Sequence, residues 1–81
     1  MTQITMKTNE KEANEVWTGK RRHIIRSKKD APKEGEWMKF QLYKDRRPVY
    51  HQVSKKTFLV TIVEDYLTAP IAKDAVLISF M

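Results

Sequence analysis

Apolar residues recur at every second position in three separate stretches of this chain. "WMKFQLY" puts Met38, Phe40 and Leu42 on one side, "KKTFLVTIVED" does the same with Phe58, Val60 and Ile62, and "AVLISF" with Val76, Ile78 and Phe80. A period of two is the pattern of strands with one buried face, so the second half of the chain is read as β structure. "KDRRP" marks a turn into a further strand, "VYHQV", while "YLTAPIAKD" reads as a loop or a single helical turn. "SKKDAPKEGE", with Pro32 and Gly35, is a polar loop.

The first half changes period once. "QITMKT" alternates like a strand, with Ile4 and Met6 inward. In "TNEKEANEVWTGK", Asn9 is a good N-cap, Glu10 and Glu12 occupy the first turn, Ala13, Val16 and Trp17 share a face, and Gly19 supplies the stop. That is a short amphipathic helix near residues 10 to 18. "RRHIIR" follows as a strand, with Arg22, Ile24 and Arg26 on one face and His23 and Ile25 on the other. The expected fold is mainly β (α+β): about six short strands and one short helix after the first strand, curled into a small β-barrel that hides its strand edges. Its predicted core comprises Ile4, Val16, Ile25, Phe40, Leu42, Phe58, Val60, Ile62 and Ile78.

At 81 residues the chain supports one domain, residues 1 to 81, with one modest core. It has no cysteine, so disulfides and thiolate metal sites are excluded. His23 and His51 are separated singles without further spaced ligands, and no metal or cofactor is expected. No secretory signal is recognised and no apolar run is long enough for a transmembrane helix, so a cytoplasmic protein without a membrane partner is expected.

Charge is the feature that bears on function. Between Lys20 and Lys33 lie seven basic side chains against one acid, Asp30, and the other nine basic and nine acidic groups cancel, so this segment holds the whole net charge of +6. Such a local field attracts phosphate backbones, with anionic membrane surfaces or acidic proteins as alternatives, and it also serves plain solubility. Arg22 and Arg26 flanking Ile24 would present two guanidinium forks beside an apolar floor, with Lys20, Arg21, Lys28 and Lys29 as a cationic rim. A barrel acid such as Glu36, Glu64 or Asp65 could instead neutralise one of these arginines. Trp17 is read as core. Trp37 falls opposite Met38, Phe40 and Leu42, where it is available either to stack on a base or to cap one end of the barrel. Lys55 and Lys56 lie outside the basic segment.

A strand, a short helix ending in "TGK", a basic strand and then a "KEGE" turn resemble the ASCH domain, a branch of the PUA-like β-barrels, particularly its small bacterial and phage members that carry a domain of unknown function. The family pattern, Gly-x-Lys-x-x-Glu/Thr-x-Arg followed by Gly-Asp, maps onto Gly19, Arg21, Ile24 and Arg26, then Gly35 and Glu36. The order of elements agrees from Ile4 to Phe80. The resemblance implies a pocket between helix and barrel, lined by the strand after Gly19, and a role with RNA or nucleotides. Some small ASCH proteins deacylate acetylated cytidine with a Lys, a Thr and a Glu. Arg21, Ile24 and Leu59 stand at those positions here, and none of them can serve as base or nucleophile. The resulting expectation is a non-catalytic RNA-binding or nucleotide-binding module; the alternative is an ASCH-type hydrolase of a modified nucleoside or RNA that uses other groups.

Overall fold

The computed structural model describes residues 3–81. Strand β1 (Gln3–Thr8) leads into helix α1 (Glu10–Trp17), then β2 (His23–Ser27), β3 (Trp37–Lys44), β4 (Arg47–Val49), β5 (Phe58–Glu64) and β6 (Ala75–Phe80). The helix forms where its caps require. The Asn9 side chain accepts the Glu12 N–H at 2.8 Å. At the other end Gly19 adopts φ +80, and the Gly19 and Lys20 N–H groups return to the Val16 and Glu15 carbonyls at 3.2 and 2.9 Å. This is a Schellman stop, and it needs the left-handed backbone that glycine adopts without a Cβ penalty.

The strands form one curved sheet in the order β1-β3-β5-β6-β2, with β4 hairpinned onto the far end of β3. That hairpin turns on Asp45 and Arg46, both with positive φ, as a tight two-residue turn demands. The expected barrel is not closed: the outer strands β1 and β2 are not paired with each other among the described residues. Across their gap Arg26 donates to the Lys7 carbonyl of β1 at 3.0 Å and to its neighbour Ile25 carbonyl of β2 at 2.9 Å, and it pairs with Glu12 of α1. The Thr8 hydroxyl donates to the same Glu12 carboxylate at 2.7 Å. A side chain thus bridges two strand edges where a ladder of backbone hydrogen bonds would close a barrel.

Three rings form the centre of the core. Phe40, Phe58 and Phe80 meet at centroid separations of 5.2 to 5.6 Å in edge-on or tilted contacts, which suit the charge distribution of aromatic faces and edges. Met6, Ala13, Val16, Ile24, Met38, Val53, Val60, Val76 and Ile78 surround them, with Ile4 partly buried at the margin. Full burial of one such large side chain contributes roughly 1.5–3 kcal/mol.

Four expectations need correction. Ile24, not Ile25, is in the core: Ile24 is 0% and Ile25 52% exposed, because Ile24 pairs with the buried Ile78 and antiparallel partners share a face. Ile62 is 48% exposed, because a β-bulge between Val60 and Ile62 inserts one extra residue and turns Val63 inward in its place. Trp17 is 44% exposed at the last position of α1 rather than buried with Ala13 and Val16. "VYHQV" is strand only as far as Val49; Gln52–Lys55 is a 3-10 turn whose buried Val53 donates its N–H to His51 Nδ1 at 3.0 Å. No helix is long and apolar enough to cross a membrane among the described residues.

Candidate nucleic-acid interface

The fold sorts the cations of "TGKRRHIIRSKK" by their partners. Arg21 turns back onto α1, where its Nε and Nη2 donate to one oxygen of Glu15 at 3.1 and 2.8 Å. That hydrogen bond holds the Glu15 carboxyl below the usual carboxylate range against the opposing effect of partial burial, with further help from the charges of Arg21, Lys11 and Lys20. Arg26 is committed to Glu12 in the gap between β1 and β2, so the acid that neutralises it is on the helix and not Glu36, Glu64 or Asp65. Lys20, Arg22, Lys28 and Lys29 have no carboxylate within 4.0 Å among the described residues.

Arg22 and Arg26 therefore do not form a pair of forks over an apolar floor. Ile24 between them is buried, Arg26 spans the gap, and Arg22 lies before the first residue of β2, beside Gly19. A Cβ built on Gly19 would sit 3.9 Å from Arg22 Nη2, so the guanidinium lies against the end of the helix. Lys28 and Lys29 line a separate shallow recess with Ser27 and Asp74. Six residues of extended chain, about 20 Å, separate them from Arg22.

At the Gly19 end the structure forms a depression of about 70 Å³. Phe58 and Phe80 line it from the core side with the exposed Met81 beside them, Val16, Trp17 and Gly19 from the helix, and Arg21, Arg22 and Lys56 bring three cations to it. Lys56 was not expected here. Its Nζ lies 5.3 Å from the centre of the Phe58 ring, a cation–π placement, and no carboxylate lies within 4.0 Å of it among the described residues. The start of β5 reaches this corner because Leu59 exchanges both backbone hydrogen bonds with Met81, at 3.0 Å each, while Phe80 donates its N–H to the Arg22 carbonyl. The periodicity of "KKTF" cannot reveal that arrangement. Trp37 lies on the outer face of β3 opposite Leu59 and does not line this depression.

Two local effects oppose each other at the depression. The C-terminal end of α1 disfavours an anion by about 0.3–1 kcal/mol at an exposed site, less where its carbonyls are already bonded as here. One charge-assisted hydrogen bond from Arg22 or Lys56 contributes about 1.5–3 kcal/mol. The cations win, and the corner attracts anions. The gap between β1 and β2 forms a larger cleft of about 400 Å³, lined by Ile4, Thr5, Met6, Lys7, Arg26 and Asp30. Its arginine is already neutralised, so its field is weaker than its size suggests. No group of three or more His, Cys, Asp or Glu residues is placed to hold a metal ion among the described residues. No family model and no curated protein matches this chain.

Proposed function

We propose that the chain is a non-catalytic RNA-binding or nucleotide-binding module with the ASCH-type, PUA-like architecture that its order of elements resembles, and that it binds at the Gly19 corner. The observation that carries this reading is the meeting of two unpaired cations, Arg22 and Lys56, with the exposed Trp17 around one depression. Phosphate is attracted by the cations, and a base needs an exposed aromatic face to stack on. The depression lies at the end of the helix, as the resemblance implies, but its strand wall comes from Phe58 of β5 and Phe80 of β6, and the segment after Gly19 contributes Arg21 and Arg22 ahead of β2. The non-catalytic part of the reading is supported by Ile24, which is fully buried, and Leu59, neither of which can move a proton.

The test is a titration with single-stranded and duplex RNA at several salt concentrations, following Trp17 emission in a Trp37→Phe background. Single strands should quench Trp17 with an affinity that falls as salt rises, and duplex should bind less well. Binding that leaves Trp17 emission unchanged would move the interface elsewhere on the molecule.

A further inference from the structure

We infer that the depression at Gly19 takes a phosphate monoester, the charge-dense end of a nucleotide or of a single strand; the inference rests on the RNA reading above and narrows it. Size is the first argument. About 70 Å³ is room for roughly two waters, whereas pockets that enclose whole small molecules measure about 300–1,000 Å³. A base with its sugar does not enter, but a phosphate group can, leaving its base outside beside Trp17 at the rim.

Charge is the second argument. Arg21 is neutralised by Glu15, which leaves Arg22 and Lys56 as the two cations of the corner without a carboxylate partner among the described residues. A monoester carries about −1.5 to −2 at neutral pH and matches both of them, while a phosphate inside a strand carries a single charge. Shape is the third. Phe58 and Phe80, both 4% exposed, close the depression on the core side, so a chain that enters cannot continue through it. An interior phosphate has to leave in two directions; a terminal one leaves in only one.

The experiment compares short single-stranded oligoribonucleotides of one sequence that carry a 5′-phosphate, a 3′-phosphate or hydroxyls at both ends, together with a nucleoside 5′-monophosphate. Trp17 emission in the Trp37→Phe background is the readout. At least one phosphorylated strand should bind about tenfold tighter than the hydroxyl-ended strand, the gain expected from one added charge-assisted hydrogen bond. Arg22→Ala and Lys56→Gln, each with its circular dichroism unchanged, should abolish that preference. A nucleoside monophosphate that binds as tightly as the phosphorylated strand would also support the monoester site and identify a free nucleotide as its source. Equal affinity for all three strands would overturn the inference and leave the RNA reading standing. Absence of binding by every probe would overturn both.

Discussion

Replacing Arg26 by methionine should cost far more stability than removing any other cation of its segment. The substitution keeps an unbranched apolar stem but deletes the donors that reach the Lys7 and Ile25 carbonyls, and it strips Glu12 of its counter-charge. Among the described residues Glu12 then keeps only the Thr8 hydroxyl, in a site where its side chain is 13% exposed and that of Arg26 23%. Breaking a fully buried ion pair by removing one partner costs about 3–5 kcal/mol, and an exposed pair contributes only about 0.2–1 kcal/mol. The intermediate burial here places the cost at about 2–3 kcal/mol. A chain of this length has roughly 4–12 kcal/mol in total, and each kcal/mol moves the melting temperature by about 4–8 °C, so Tm should fall by about 8–24 °C. Thermal and urea denaturation followed by circular dichroism read this directly, with Lys28→Met as the control. Adding Glu12→Gln to Arg26→Met should recover part of the loss, because the stranded carboxylate is then gone. A Tm change for Arg26→Met no larger than that of the control would refute the bridging role.

Three further outcomes follow from the fold. The Glu15 carboxyl is depressed by Arg21, so the folded state binds fewer protons than the unfolded one and the pair stabilises at neutral pH; that contribution is lost as pH falls through the depressed value. The gap in urea midpoint between wild type and Glu15→Gln should therefore close below about pH 4, and a gap independent of pH would contradict the pairing. Arg46→Gly should stabilise the β3–β4 hairpin by about 0.5–1 kcal/mol, since Arg46 holds φ 64 without glycine's freedom; a lower Tm would argue against that turn. Ile25→Lys should change stability by no more than about 0.5 kcal/mol while Ile24→Lys abolishes cooperative unfolding, and the reverse order would restore the opposite strand face to the core.

The features legible in the sequence were those fixed by near neighbours. Asn9, Gly19 and the apolar face between them specify α1 to within a residue, and the alternation in "WMKFQLY" and "AVLISF" identifies the buried faces of β3 and β6. Features set by a distant partner were not legible. "HII" alternates equally well either way round, and only the pairing of Ile24 with Ile78 chooses the face. The bulge that turns Ile62 outward depends on the register of β5 against β6. The basic segment stands out as a charge cluster, but its division does not: Arg21 and Arg26 are neutralised by helix acids, and Lys56 arrives from a loop 34 residues after Arg22. Barrel closure is expected from short strands whose edges need cover and from the resemblance to β-barrels, and neither says whether β1 and β2 meet.

The central claim is that Arg22 and Lys56 form one anion site, and the salt dependence of single-stranded RNA affinity tests it most directly. Each phosphate neutralised on a single strand contributes about −0.7 to the slope of log affinity against log salt. Arg22→Ala combined with Lys56→Ala should reduce the magnitude of that slope by about 0.7 for each phosphate that is no longer neutralised and weaken binding, while Lys28→Ala combined with Lys29→Ala, at the far end of β2, should do much less. Equal weakening by the two double variants, with folding intact, would mean that only net charge matters and that the Gly19 corner is not a site.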